Sequence, residues 1–137
     1  MRDINSLPIR DKNSHWSYLS KNVFNPADGL HPAESIYVSY LPPMTITGPH
    51  SHPAHHEEVW LKLPPGDAFL LLGSEVREMP PYTAFLVPTN GLTTHSVVNV
   101  SSERQAWFVF NRFAQGTYPP QQLPSIAPKA LRMAEAR

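Results

Sequence analysis

The chain of 137 residues has the size of one domain, and eleven Lys and Arg residues balance eleven Asp and Glu residues, for a net charge of zero. This balance gives no general attraction to phosphate backbones or anionic lipids, so we expect no nucleic-acid partner and no membrane partner. The absence of cysteine excludes disulfides, thiolate catalysis and cysteine-bound zinc. Without a long apolar stretch or a secretory leader, we expect a cytoplasmic protein.

Proline and charge content favour an all-β chain. The sequence contains 16 prolines, more than twice the roughly 5% of average composition, and proline is excluded from helix interiors. Only 16% of the residues are charged, against about 25% in a typical domain. Short runs of Val, Ile, Leu, Phe, Tyr and Trp lie between Pro and Gly residues, which is typical of short strands joined by turns.

The strands follow one another in chain order. Residues 1–34 lack sustained periodicity and are predicted to form an N-terminal arm with a strand or two. Strands are then predicted at Ser35–Leu41, Met44–Gly48, Glu57–Leu63, Ala68–Leu72, Glu75–Met79, Ala84–Val87, His95–Val100 and Gln105–Asn111. The turn Gly73-Ser74 has the composition of a two-residue hairpin loop.

Strands at this spacing predict a single β-sandwich or barrel over residues 35–112. Residues 113–137 are proline-rich and are predicted to be a C-terminal tail that drapes over the barrel or over a second subunit. The barrel has open sheet edges, and the arm and tail have no core of their own, so we expect a homodimer that covers them.

Four of the seven histidines are concentrated in one short segment, His50-Ser-His52-Pro-Ala-His55-His56, which Glu57 and Glu58 follow directly. Side chains two apart on a strand share a face, with Cα atoms about 6–7 Å apart, so His50 and His52 can converge on one ion. His95 begins a later strand, just after the turn Pro88–Gly91. A glutamate at the start of the strand Glu57–Leu63 can add an oxygen ligand.

Strand alternation leaves two alternatives for that glutamate. An inward Glu57 places Val59, Leu61 and Leu63 inward, whereas an inward Glu58 buries Lys62 near the ion. Parity favours Glu57, and Glu58 stays open as the alternative. The predicted metal ligands are therefore His50, His52, Glu57 and His95. Three imidazoles and one carboxylate leave two positions of an octahedron open and suit Mn, Fe, Zn, Ni or Co better than Ca or Mg.

The other histidines and the aromatic residues are predicted to have roles other than metal binding. His55 and His56 precede the strand and are predicted to be turn residues, while His15 and His31, in the arm, are predicted to be solvated. A set of aromatic residues is predicted to lie in the core or to stack on a substrate: Tyr37, Tyr40, Phe85, Trp107 and Phe108.

Residues 44–111 resemble the cupin superfamily. The first motif of that family corresponds to His50-Ser-His52, four residues and Glu57, and the second corresponds to Pro88–Gly91, three residues and His95-Ser-Val-Val-Asn99. The resemblance implies a double-stranded β-helix (jelly-roll) barrel, often dimeric, that holds one divalent transition-metal ion. By parity Asn99 shares a strand face with His95 and is predicted to be structural or to support the site.

The motifs do not select one reaction, because cupins include enzymes of several classes as well as ligand-binding proteins. We expect a metal-dependent enzyme of isomerase, epimerase or lyase type that acts on a small oxygen-rich molecule such as a sugar or keto acid. Four residues are candidates for proton transfer: Glu58, Tyr82, His55 and His56. The alternatives are an Fe(II)-dependent dioxygenase and a non-catalytic protein that binds a small molecule.

Overall fold

The computed structural model describes residues 1–11 and 15–112, so the predicted C-terminal tail lies outside the described residues. The strands are β1 (Arg10–Asp11), β2 (Leu19–Phe24), β3 (Glu34–Leu41), β4 (Thr45–Ile46), β5 (Glu57–Leu63), β6 (Ala68–Leu72), β7 (Glu75–Met79), β8 (Ala84–Val87), β9 (His95–Asn99) and β10 (Gln105–Arg112). Short 3-10 helices span Ile4–Ser6 and Pro26–Asp28. No helix within the described part of the chain is long and apolar enough to cross a membrane.

The strands form two antiparallel sheets. One sheet has six strands in the order β1-β2-β3-β10-β5-β8, and the other has four strands in the order β4-β9-β6-β7. Consecutive strands alternate between the sheets at several points, as in a jelly roll. The all-β jelly-roll prediction is confirmed.

The predicted strands agree closely with the observed ones, because turn-forming residues bound most of them. The strands β5, β6, β7 and β8 have the predicted bounds, and β6 and β7 pair directly across the Gly73-Ser74 turn. The strand predicted from Met44 to Gly48 is shorter and spans Thr45–Ile46 alone. Met44 has a positive φ of 54°, which belongs to a turn and is incompatible with a strand.

The core lies between the two sheets. Along β10 every second side chain is buried, and the inward positions are Gln105, Trp107, Val109 and Asn111. Trp107 and Val109 are fully buried in the apolar cluster, whereas the two amide residues lie at the two ends of the strand. This pattern gives the barrel an apolar middle and polar ends, and the end near Asn111 also holds the histidines.

The predicted N-terminal arm contributes two strands to the six-stranded sheet. β2 pairs with β3 along most of its length, and β1 pairs with β2 at the edge. Tyr18 and Val23 are both buried, so this segment shares the apolar core. The chain entering β2 passes the polar end of the barrel, where His15 and Trp16 contact the segment between β4 and β5.

Candidate metal centre

Backbone pairing brings His50 and His95 together. The two residues form an isolated antiparallel bridge in which each amide donates to the carbonyl of the other, at 3.2 and 2.9 Å. Paired residues of this kind project their side chains to the same side of the sheet. The two ring centroids are therefore 4.4 Å apart, although 45 positions separate these residues in the sequence.

His52 joins this pair as the spacing predicts. Its ring centroid lies 4.9 Å from that of His50 and 5.0 Å from that of His95. One ring nitrogen from each of the three histidines lies within 4.8 Å of the other two. The structure therefore brings these three predicted imidazoles together.

Glu58, and not Glu57, faces the imidazoles. Glu58 is 3% exposed; its Oε2 accepts a hydrogen bond from His52 Nε2 at 2.6 Å and lies 3.4 Å from His95 Nε2. The side chain of Glu57 is 52% exposed and lies 4.0 Å from the Arg112 guanidinium on the outer surface. The prediction that Glu57 faces inward is wrong.

Lys62 can be buried without approaching the site, and for this reason strand parity favoured the wrong glutamate. Lys62 is fully buried on the inner face of β5, but it lies four residues from Glu58, about 13 Å along the strand. Its Nζ donates to the backbone carbonyls of Leu63 and Pro65 and lies 5.3 Å from the Trp107 ring centroid. Burial lowers the pKa of the Lys62 ammonium, and these partners compensate for the lost water.

A chain of hydrogen bonds holds the second oxygen of Glu58. The Tyr37 hydroxyl donates to Glu58 Oε1 at 2.7 Å, and Asn111 Nδ2 donates to the Tyr37 oxygen at 3.2 Å. The Ser35 hydroxyl in turn donates to Asn111 Oδ1. Asn111 pairs with Glu58 on one side and with Ser35 on the other, so sheet register aligns the chain. Outer hydrogen bonds of this kind orient metal-binding carboxylates.

The surroundings keep the Glu58 carboxylate ionised at neutral pH. Burial by itself raises the pKa of Glu58, but the hydrogen bond from His52 and the proximity of His95 outweigh it and hold the pKa well below its usual range. Burial, reinforced by the nearby His95, lowers the pKa of His50 to about 4. The site therefore combines a charged carboxylate with a neutral His50, the protonation states that metal coordination requires.

The turn before β5 places its two histidines differently. His55 is exposed with a positive φ of 67°, as expected of a turn residue. Its amide donates to the Thr89 carbonyl at 3.0 Å, and at Gly91 an added Cβ would lie 3.0 Å from the Ala54 nitrogen. Glycine therefore permits the loop before His95 to pack against the turn.

His56 is not merely a turn residue, because it is 2% exposed and its ring stacks on that of His52 at a centroid distance of 4.1 Å and an interplanar angle of 9°. It also forms a second possible ligand group with His52 and Glu58, whose ligand atoms lie within 4.8 Å of one another. His56 therefore belongs to the site.

Two other singled-out residues lie away from the cluster. Tyr82 is 74% exposed, and its amide donates to the Lys62 carbonyl at the far end of β5, so the structure does not bring this proton-transfer candidate to the site. Asn99 Nδ2 donates to the carbonyls of Leu41, Pro42 and Glu103 at 2.7 to 3.1 Å. These bonds hold the opposite end of the barrel, so of the two predicted roles of Asn99 they favour the structural one over support of the site.

His15 is a site residue that sequence reasoning missed. It is 8% exposed, and its Nε2 lies 3.0 Å from His50 Nε2, so the prediction that it is solvated is wrong. The two residues are 35 positions apart in the sequence, and no local sequence pattern predicts their contact. Tyr37 is predicted to lie in the core or to stack on a substrate, whereas the structure shows that its hydroxyl reaches the site. His31 is exposed, as predicted.

The donor set fits a divalent transition-metal ion. Both ring nitrogens of His95 are buried and lack a hydrogen-bond partner among the described residues, although buried polar atoms are nearly always paired. An ion bound to His95 Nε2 would satisfy one of them. Imidazole and carboxylate donors suit Mn, Fe, Co, Ni or Zn, so this His/Glu cluster could hold a metal ion.

No protein-family model matches the sequence, and no curated protein matches it. Solved structures do match. A cupin 2 conserved barrel domain protein from Salinispora arenicola is 17% identical with a TM-score of 0.65, over 99% of this chain and 94% of that one. The polyketide cyclase RemF from Streptomyces resistomycificus is 15% identical with a TM-score of 0.70, over 89% of this chain and 87% of that one.

A third match is a sugar phosphate isomerase of the cupin superfamily from Silicibacter pomeroyi, 16% identical with a TM-score of 0.69, over 82% of this chain and 74% of that one. The protein is therefore a small jelly-roll protein with a histidine-rich cluster at one end of its barrel. Its fold is the cupin fold, which confirms the resemblance seen in the two sequence motifs. Identities this low establish the fold alone, and the reaction has to be argued from the site.

Proposed function

We propose that the protein binds one divalent transition-metal ion through His50, His52, Glu58 and His95. The observation that carries this proposal is the cluster of three imidazoles, of which His52 and His95 lie against the buried Glu58 carboxylate. Both ring nitrogens of His95 also lack a hydrogen-bond partner among the described residues. This set replaces the predicted Glu57 by Glu58. The hydrogen bond between His52 Nε2 and Glu58 requires a proton on that nitrogen, so we expect metal binding to displace this proton.

We further propose that the loaded site is a metal-dependent enzyme of isomerase, epimerase or lyase type acting on a small oxygen-rich molecule such as a sugar or keto acid. Four protein donors leave room for two oxygens of a hydroxy-carbonyl ligand in an octahedral ion. As a Lewis acid, the bound ion would acidify a C–H or O–H beside those oxygens. The neighbours of this fold include an isomerase, a cyclase and a predicted decarboxylase.

The chain's own residues would position the ligand and carry the proton. With Glu58 assigned to the ion, with Tyr82 at the far end of β5 and with the turn residue His55 exposed, His56 is the remaining buried proton-transfer candidate. Its ring lies face to face with His52, next to the proposed coordination sphere. Tyr37 holds Glu58 in place through its hydroxyl and is assigned a positioning role.

An Fe(II)-dependent dioxygenase is the second candidate, and the aromatic residues behind His95 favour it. The rings of Trp60 and Phe85 stack with centroids 6.0 Å apart, and each centroid lies 6.4 Å from that of His95. An apolar wall of this kind suits a substrate with a hydrocarbon or aromatic part.

Elemental analysis combined with oxygen uptake separates these functions. Protein reconstituted with Mn, Fe, Co, Ni or Zn and then freed of excess ion by gel filtration is expected to retain one ion per chain. Turnover of sugar or keto-acid substrates without oxygen uptake would support the isomerase, epimerase or lyase assignment. Iron-dependent oxygen uptake would support the dioxygenase. Protein that retains no ion would contradict both and leave a non-catalytic small-molecule-binding protein.

We also propose that the protein is a homodimer that covers its exposed sheet face. Val59 and Leu86 are paired neighbours on β5 and the edge strand β8, and they are 37% and 57% exposed. Apolar residues on an open edge favour association with a second sheet. Light scattering at tens of micromolar is expected to give twice the chain mass of 15.4 kDa, and a monomeric mass would contradict the proposal.

A further inference from the structure

Beyond the four proposed ligands, the N-terminal segment brings a fifth donor to the cluster. His15 Nε2 lies 3.0 Å from His50 Nε2, and the ring centroids are 4.1 Å apart at 75°. This imidazole belongs to neither cupin motif, since it enters from residues that precede β2. The contact is made through His50, at the outer side of the histidine cluster.

The position of the proton on His50 determines whether its Nε2 donates to His15 or accepts from it. His50 Nδ1 lies 2.8 Å from the Gly48 carbonyl oxygen, and a carbonyl can only accept, so Nδ1 carries the proton. His50 Nε2 therefore presents its lone pair to His15. One lone pair cannot serve both a hydrogen bond from His15 and an ion, so metal binding at His50 must change the state of His15.

The distance between the two nitrogens fits a shared ion. Two nitrogens bound to one ion at about 2.1 Å and at right angles lie about 3.0 Å apart. This is the separation that His15 Nε2 and His50 Nε2 have. A shift of the His15 proton from Nε2 to Nδ1 would turn this hydrogen-bonded pair into two neighbouring donors without changing the charge of the imidazole.

The local backbone holds His15 at this position. The Gly48 amide donates to the His15 carbonyl at 3.1 Å, and Trp16 bridges Thr47. Trp16 has a positive φ of 59°, which a bulky residue adopts rarely and which points to a constraint. Its indole lies against Gly48, where an added Cβ would be 3.2 Å from the ring. Glycine at this position therefore lets the segment approach His50.

We propose that His15 is an additional ligand of the metal ion, so that the N-terminal segment completes the centre. The inference rests on the proposed metal function. It adds a fourth imidazole to His50, His52 and His95 and leaves one coordination position, rather than two, for a substrate oxygen or water. The bound ion would also fasten the N-terminal segment to the barrel.

The proton NMR spectrum of the cobalt(II)-loaded protein tests this assignment without any activity measurement. Each coordinated imidazole with a protonated Nδ1 gives one strongly shifted exchangeable signal, so we expect four signals from the wild type. His15→Ala is expected to lose one signal and to bind cobalt about 10- to 100-fold more weakly. His31→Ala, at an exposed histidine of the same N-terminal region, is the matched control and should match the wild type.

The outcomes separate this inference from the proposed function. Three signals in the wild type, or an unchanged number in His15→Ala, would overturn the assignment of His15 while leaving the other ligands in place. A wild type that binds no cobalt would overturn the proposed function as well. The wild-type signal count decides the question even if His15→Ala does not fold, which thermal unfolding of the metal-free variant would reveal.

Discussion

Two buried charged residues lie on the inner face of β5, and their surroundings differ. Lys62 has a complete set of partners, because its ammonium donates to the Leu63 and Pro65 carbonyls and lies over the Trp107 ring. Glu58 instead lies against His52 and His95, and imidazole is a common metal ligand. Burial of a charge is therefore common to both ends of the strand, and only the identity of the partners marks one end as a site.

Of the changes considered, removal of the Glu58 charge is expected to lower metal affinity the most, and so to separate the two ends of β5 most clearly. Glu58→Gln keeps the shape but removes the coordinating charge, so affinity for Mn, Co or Zn should fall by at least about 100-fold. Titration calorimetry would measure the loss. Glu57→Gln, at the exposed neighbour, is the matched control and should bind as the wild type does. Equal losses in the two variants would contradict the assignment of Glu58.

The metal-free protein is expected to lose stability as the pH falls from about 6.5 to about 4. The folded-state pKa of His50 is lowered to about 4, whereas an unfolded histidine has a pKa of about 6.5. In this pH window the unfolded chain binds a proton at His50 that the folded chain does not bind. The free energy of unfolding therefore falls by at most about 3 kcal/mol. Urea unfolding at several pH values, with chelator present, measures this slope.

Two histidine variants test whether His50 causes this pH dependence of the unfolding free energy. His50→Ala should flatten the decline in unfolding free energy between about pH 6.5 and 4, while His31→Ala should leave it unchanged. The lowered pKa of Glu58 acts in the same direction, since its contribution is present above the ordinary glutamate pKa and is lost as the pH falls further. A decline that persists unchanged in His50→Ala would show that other groups cause it.

Lys62 is expected to affect stability without affecting the metal. Lys62→Met keeps the apolar stem but leaves the Leu63 and Pro65 carbonyls without their donor, which should lower the free energy of unfolding by about 1–3 kcal/mol. Urea unfolding measures this change. Affinity for the ion should stay within about twofold of the wild type, because Lys62 lies about 13 Å from Glu58 along the strand. A large loss of affinity would mean that the two ends of β5 are coupled.

The smallest expected effect is that of the Tyr37 hydroxyl. Tyr37→Phe removes the hydrogen bond to Glu58 Oε1 while the ring still fills the core, so metal affinity should fall by about 10-fold. Calorimetry under the conditions used for Glu58→Gln measures the difference. A change as large as that of Glu58→Gln would indicate a structural collapse, which the melting temperature of the metal-free variant would expose.

Sequence reasoning predicted much of the fold and most of the candidate site. Turn residues bracket β5, β6, β7 and β8, so their bounds follow from neighbours in the sequence. The spacing of His50 and His52 places both on one side, because it depends only on the two-residue period of an extended chain. His95 enters the predicted set through its position at the start of a strand just after the turn Pro88–Gly91, and the family resemblance gives it the same place. Its backbone bridge to His50 spans 45 positions and could not be predicted from near neighbours.

The features that depend on near neighbours in the sequence could therefore be predicted from the sequence alone. They are the strand bounds, the hairpin at Gly73-Ser74 and the pair His50 and His52. The choice between Glu57 and Glu58 could not be predicted in this way. It depends on the burial of Lys62, whose ammonium donates to carbonyls at the opposite end of the barrel. The position of His15 likewise depends on the packing of Trp16 against Gly48. Both depend on contacts between segments that only the closed barrel brings together.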